Sequence, residues 1–454
     1  MLMRSVVFLL VLLLSGHALG QSLWEQVPSP NPSPYMNWLR GISGVTTNAI
    51  WTVGNIQETP QDQPLITTNL VLRWNGASWD EHAVQNFSNN YNVLWDVHAL
   101  SDDDVWAIGD YNAGGGNARP QVHHWDGAVW NSSALVPPGG GGAFLRAMDA
   151  SASDDIWAVG GEAMPNVGIA YLIHWNGSGW TSHDAPIIGT WANRLNDVSV
   201  LSANDAWAVG EYENAIEQLD RFLVFHWNGS EWDHVPLPAP YDSMLGALND
   251  VKALAPDDVW VAGRTLALDP IVLHWNGSNW SEVPTGGLSV RAFAPLAPDH
   301  MFAFGSAIVH WNGSDWSVSD ALADHPYPSL MASTVLPDGS IWAAGNVADI
   351  DGVTQTLVYR RGPGGSTAID PDVEQGAGPV IYPNPFTEKL TIRGNRPEAY
   401  EVIIAEAATG RQVFQFTGPT AQKVDLHLAS LAAGAYLVKV SLGEVVHQTL
   451  VIKQ

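Results

Sequence analysis

The chain has 454 residues, a formal charge of −27, 22 tryptophans and no cysteine. The acidity argues against a nucleic-acid or anionic-membrane partner, since phosphate binding needs a basic patch. Without cysteine there is no disulfide and no lipid-bearing thiol, so packing and sheet hydrogen bonds must supply the stability.

Residues 1–20 hold Arg4, an apolar run from Val6 to Leu14, and Ala18-Leu19-Gly20 before Gln21. This reads as a secretory signal peptide, because the apolar run is too short to span a bilayer. No later apolar stretch approaches about 18 residues, so no membrane span is expected in the mature chain.

From residue 21 to 361 one pattern recurs in seven copies. Its fullest form is Asp205-Ala206-Trp207-Ala208-Val209-Gly210, a variable stretch, then His226-Trp227-Asn228-Gly229-Ser230-Glu231-Trp232. The first aromatic recurs as Trp51, Trp106, Trp157, Trp207, Trp260, Phe302 and Trp342. Asn-Gly or Asp-Gly between the later two tryptophans accepts positive φ and closes a tight hairpin. Each copy therefore reads as four strands, A to D, and units of this length and make-up are β-propeller blades. The expected fold class is all-β, a seven-bladed propeller.

The seventh copy stops at Arg360-Arg361-Gly362 without a strand D. Ser22-Leu23-Trp24-Glu25-Gln26-Val27-Pro28 aligns with the strand D segment Ser278-Asn279-Trp280-Ser281-Glu282-Val283-Pro284. The N-terminal segment is thus expected to complete the seventh blade, removing the open sheet edges. Nineteen tryptophans then occupy repeat positions, and Trp38, Trp95 and Trp191 fall outside them.

With strand A lining a central channel, the long B–C and D–A connections share one face, where repeat proteins collect binding loops. Two rings border that face. Eleven residues before the core aromatic stand Arg40, Trp95, Arg146, Asn196, Asn249, Arg291 and Met331. Just after strand B stand Asn55, Asp110, Gly161, Glu211, Arg264, Ser306 and Asn346. A position that changes this much from copy to copy is not packing the repeat, and suits one asymmetric site or a plain solvated channel. The ligand-binding candidates are Arg40, Trp95, Arg146, Trp191, Asn196, Tyr241, Asn249, Arg264 and Arg291. Trp38, Trp95, Trp191 and Tyr241 could stack on a sugar or a partner, or cap the blade tops. Asp110, Glu211 and Glu162 are acid/base candidates, because glycoside hydrolysis needs two facing carboxyls.

The histidines His124, His174, His226, His274 and His310 are one per copy, which suits a repeated structural role rather than a metal site. Asp104, Asp155, Asp205 and Asp258 open strand B, where Asp caps local backbone N–H groups. Neither a metal nor a cofactor is expected, and the chain reads as a monomer.

Residues 362–379 form a Gly/Pro/acidic linker. Beyond it the composition changes: residues 378–454 carry 7 Lys+Arg against 6 Asp+Glu and no tryptophan. Six short alternating strands, Lys389–Ile392, Tyr400–Ile404, Gln412–Phe416, Val424–Leu428, Ala435–Val440 and Val445–Ile452, predict a small Ig-like antiparallel sandwich.

Tyr382-Pro383-Asn384-Pro385, Leu390-Thr391-Ile392, Asp425 with Leu431, Gly434-Ala435-Tyr436-Leu437-Val438-Lys439-Val440 and Leu450-Val451-Ile452-Lys453 closely resemble the type A C-terminal sorting domain of the type IX secretion system of Bacteroidetes-like bacteria. The resemblance covers residues 380–454. It implies that Tyr382, Pro383, Asn384, Pro385, Gly434, Tyr436, Lys439 and Lys453 belong to the sorting motif and that the partner is the secretion machinery. It also implies a destination outside a Gram-negative cell, usually with removal of this domain. The propeller resembles WD40- or kelch-like propellers only in general form. Its expected function is binding of a glycan or protein at the loop-rich face. The alternatives are an extracellular polysaccharide hydrolase and a structural or adhesive surface protein.

Overall fold

The alternating patterns become strands throughout, and among the described residues of the computed structural model there is no helix. Those residues are 24–58, 65–114, 117–163, 167–214, 216, 219–349, 352–362, 380–382, 389–406, 411–432, 434–442 and 445–453. The predicted signal peptide, Pro383, Asn384 and Pro385 lie outside them. The chain divides into two compact units, with the division inside the 362–379 stretch.

In the first unit, each copy of the repeat folds as predicted. The fourth has strand A at Ala192–Ser202, strand B at Asp205–Glu213, strand C at Asp220–Trp227 and strand D at Trp232–His234, all antiparallel. Copies two to six are separate four-stranded sheets. Copies one and seven belong to one eight-stranded sheet, linked by a single parallel pair, Met36 with Thr354. The N-terminal segment joins the seventh copy: Glu25 pairs with Arg360 and Gln26 with Tyr359. Trp24 is buried against Phe302 and Phe304, with ring centroids at 5.2 and 5.4 Å.

The core lies between neighbouring sheets. The strand B aromatic of one copy meets the strand C and D tryptophans of the next. Trp51 packs on Trp125 and Trp130, Trp106 on Trp175 and Trp180, Trp157 on Trp227 and Trp232, and Trp207 on Trp275 and Trp280. Trp260 packs on Trp311, Phe302 on Trp24, and Trp342 on Trp74 and Trp79. Arg361, standing where the seventh copy lacks its strand C tryptophan, lies 4.6 Å over Phe302. Each buried indole removes about 200 Å² from water, roughly 5 kcal/mol of transfer free energy.

Four of the five histidines share one role and His310 instead faces His300 at 3.1 Å, while among the described residues no backbone N–H donates to the strand-opening aspartates. Nε2 of His124, His174, His226 and His274 lies 2.7–2.9 Å from Oδ1 of Asp104, Asp155, Asp205 and Asp258. Each imidazole also lies against its copy's core tryptophan. Asp104 and Asp258 also accept the indole N–H of Trp106 and Trp260 at 2.8 and 2.9 Å, so the Asp serves side chains of its own copy. In copies one and seven, Arg73 and Arg360 occupy the histidine position and lie 5.4 and 5.7 Å over Trp51 and Trp342.

The second unit corrects the six-strand expectation. Five strands form one sheet, and four expected segments merge pairwise into Lys389–Glu406 and Gln412–His427. Register shifts at Arg393/Glu398 and Glu398/Tyr400 carry the long strand through a segment whose Gly and Pro read as a break. Its core holds Leu390, Ile392, Val402, Ile404, Tyr436, Val438 and Val440. The Tyr436 hydroxyl donates to the Ala432 carbonyl at 2.8 Å. Tyr382 ends the strand Val380–Tyr382 and pairs with Thr391. Gly434 opens a strand, Lys439 is exposed, and Lys453 is buried.

Candidate functional site at the channel mouth

All seven residues of the first predicted ring line one cavity of ≈ 470 Å³. Their aim has a local cause. In copies one to five and seven the ladder between strands A and B slips by one residue, and the slipped residue is Arg40, Trp95, Arg146, Asn196, Asn249 and Met331 respectively. A β-bulge re-aims its extra side chain and kinks the strand. The kink pushes a strand A carbonyl against strand B. A Cβ on Gly210 would overlap the Arg194 carbonyl oxygen, and Gly54, Gly109, Gly160, Gly263 and Gly345 stand in the same relation to their partners. The glycine that ends the Trp-Ala-Val-Gly pattern is therefore the counterpart of the bulge.

The second ring meets the first within each copy. Arg40 Nε donates to Asn55 Oδ1 at 3.0 Å, Trp95 Nε1 to Asp110 Oδ1 at 2.6 Å, and Asn196 Nδ2 to Glu211 Oε2 at 2.5 Å. Gly161 has no side chain, and Arg146 reaches instead to Asp110 of the preceding copy at 3.1 Å. Trp95 is flanked by guanidinium groups from the copies on either side: Arg40 is 4.0 Å and Arg146 3.9 Å from its ring centroid. Burial raises the Asp110 pKa, against the opposing pull of Arg146 and the Trp95 bond, and burial lowers Arg40 to about 10. Burial likewise raises Glu211, opposed by Asn196 and Arg194. Burial, reinforced by the Arg264 charge, lowers Arg291.

The other candidates lie apart from the cavity lining. Glu162 accepts the Gly139 backbone N–H at 2.9 Å and so fixes a D–A loop. Tyr241 donates its hydroxyl to Glu282 at 2.8 Å and packs on the core between copies four and five, in agreement with a cap. Trp191 is 51% exposed and is held only through its backbone to Glu213 and Gly168. Arg264 is exposed beside Arg291. Trp95 departs from the stacking expectation, because both faces of its ring are covered.

Below the mouth lies a layer that the sequence reading did not single out. One and three residues after the ring positions, Asp96, Asp149, Asp197, Asp250, His98 and Lys252 face the same cavity. The aspartates tie neighbouring A strands together. Met148 N–H donates to Asp96 Oδ2 at 2.9 Å, Val200 to Asp149 at 2.7 Å, Val251 to Asp197 at 2.7 Å and Phe293 to Asp250 at 3.0 Å. Burial raises Asp96 to about 7, and burial with mutual repulsion raises Asp197. Burial alone would lower Lys252, yet Asp149, Asp250, Asp197 and Asp96 together lift it. Reading the alignment one and three places past the mouth would have found this layer. Among the described residues no group of three or more His, Asp and Glu side chains is placed to hold a metal ion, and no helix is long and apolar enough to cross a membrane.

Residues 380–454 match the family model described as Secretion system C-terminal sorting domain. A search of curated proteins found no match. Among solved structures, YCF48 bound to D1 peptide aligns with a TM-score of 0.50 and 16% identity, covering 76% of this chain and 98% of that one. A protein of unknown function from Dyadobacter fermentans aligns at TM-score 0.43 and 13% identity, covering 72% and 96%. A fucose-recognising lectin of Aleuria aurantia, a six-bladed β-propeller, aligns at 0.37 and 13%, covering 56% and 88%. The repeat region has a β-propeller fold. The sorting domain marks the protein as one secreted by the type IX system to the cell surface or extracellular space.

Proposed function

We propose that residues 21–361 close into a seven-bladed propeller, and that this propeller binds a glycan or protein ligand at its channel mouth outside the cell. The aromatic contacts support seven blades, since they run from copy to copy and return from Trp342 to Trp74. Residues 380–454 would then be the exported chain's address, an Ig-like sorting domain removed after passage.

One observation carries the binding reading. Seven side chains of four kinds line one cavity, six of them turned there by bulges, which sequence-neutral packing does not require. A glycan and peptide array probed with the full chain tests it. Binding of a ligand that Trp95→Ala abolishes is the expected result, because that change removes the ring holding Arg40 and Arg146 in place. Array ligands that bind equally to the variant would sink the reading.

The raised Asp110 and Glu211 carboxyls favour the hydrolase alternative. Their engagement by Trp95, Arg146 and Asn196 weighs against it. Polysaccharide turnover lost in Asp110→Asn or Glu211→Gln would replace binding with catalysis.

A further inference from the structure

We infer that the mouth is a seat for carboxylates and that its ligand is an acidic peptide segment, held by Arg40, Asn249 and Arg291 with Arg264 beside them; this rests on the ligand-seat reading above.

Residues 21–361 carry eleven basic side chains. Six of them, Arg40, Arg146, Arg194, Lys252, Arg264 and Arg291, stand at the mouth or in the layer beneath it. Half of those six are compensated. Arg146 has Asp110 at 3.1 Å; Arg194 has Glu213 at 3.4 Å and Asp220 at 3.5 Å; Lys252 lies among four aspartates.

The remaining three hold no ion pair among the described residues, although the Asp110 charge also reaches Arg40. Arg40 spends only its Nε, on the Asn55 amide oxygen, and its terminal nitrogens bond to nothing among the described residues. Arg291 and Arg264 have no hydrogen bond or ion pair from their side chains among the described residues, and each repels the other. The Asn249 amide is equally unengaged there, although it lines the cavity. Elsewhere in the same unit Arg360 pairs with Glu25, Arg119 bonds the Gly140 carbonyl and Arg221 the Ser243 carbonyl. In a chain of net charge −27, adjacent guanidinium groups left without a carboxylate are a cost unless an anion arrives. A guanidinium matches a carboxylate with two parallel N–H bonds, which a neutral sugar hydroxyl cannot offer.

Two features favour a peptide over an acidic sugar chain. The ring around the cavity offers no free aromatic face, since Trp95 is covered on both sides and the other six ring positions are not aromatic. The three guanidinium groups without an ion pair among the described residues come from copies one, five and six, and flexible Glu or Asp stems can reach such separated partners individually. The aspartate layer below repels a deeper anion, so the seat is one carboxylate deep.

Fluorescein-labelled hexaglutamate and hexaglutamine, titrated with the full chain and followed by anisotropy, test this. Hexaglutamate should bind and weaken with added salt. Arg291→Gln should reduce its affinity about tenfold, as should Asn249→Asp, which places a carboxylate in the seat. Arg119→Gln makes the same charge change outside the cavity and should leave binding intact. Neither mouth side chain bonds to protein among the described residues, so neither variant should lose its fold, and Arg291→Gln, which removes a charge that burial and Arg264 both disfavour, should melt no lower than the parent. Equal binding of hexaglutamine, or unchanged hexaglutamate affinity in both mouth variants, overturns the inference. Oligogalacturonate binding without hexaglutamate binding overturns the peptide assignment in favour of an acidic glycan. A neutral array ligand lost in Asn249→Asp overturns the anionic class and leaves the seat standing. Indifference of every array ligand to all mouth variants removes the seat itself.

Discussion

Asp96 sits where its charge is least welcome, in the lumen with Asp149 nearby and Lys252 as the compensating cation. Its folded pKa, about 7, lies above the ordinary value of 3.8, so the folded state holds the proton more tightly. The associated stability is complete below pH about 4 and is lost as pH rises through about 7. Asp96→Asn keeps an acceptor for the Met148 N–H and removes this titration. The variant should therefore be more stable than the parent at pH 8, by on the order of 2 kcal/mol after screening in the lumen. The gap should shrink toward pH 5. Thermal midpoints across that range check it, and a gap that widens on acidification would contradict the assignment. Single residues were also the least legible scale in the sequence. Asp110 was visible as a mouth carboxylate, but its capture by Trp95 and by Arg146 of the next copy depends on a bulge and a neighbouring sheet. The lumen aspartates escaped notice because each stands alone in its own copy and alternates between two positions.

At the scale of the element, most of the fold could be read directly. Core aromatics and Asn-Gly turns recur at fixed offsets, and the missing strand D of the seventh copy pointed to the N-terminal segment. Trp24→Ala should cost about 3–5 kcal/mol, as for other buried large-to-small changes, since its ring lies against Phe302 and Phe304. Its indole N–H also bonds Ser319. Removing residues 21–28 should lower the thermal midpoint further, and an unchanged midpoint would show that the segment plays no part in holding the seventh copy. The C-terminal strands were less legible. Gly394-Asn395-Arg396-Pro397 reads locally as a turn, while pairing with Gln412–His427 just before it, at Arg393, and just after it, at Glu398, carries the strand through. Cross-strand partners, absent from any local window, decided the outcome.

For the whole molecule, the charge division has a physical reading. The acidic propeller and the nearly neutral tail are suited to different encounters, one with solvent outside the cell, the other with the export machinery. Deleting residues 380–454 should leave the protein in the periplasm, as seen by immunoblotting cell fractions and medium. Its undiminished appearance outside the cell would refute the dependence on the tail.

The seam between Glu25 and Arg360 joins positions 335 apart. Until the chain has emerged past residue 361, the seventh sheet lacks an edge strand and Phe302 lacks its Trp24 cover. Copies two to six are completed by strands that follow one another along the chain, whereas the seventh takes its last strand from the chain's opening segment. A chain cut short of residue 354 leaves Glu25 and Gln26 with no Thr354–Arg361 strand to pair with, so one missing end undoes a join made at the other.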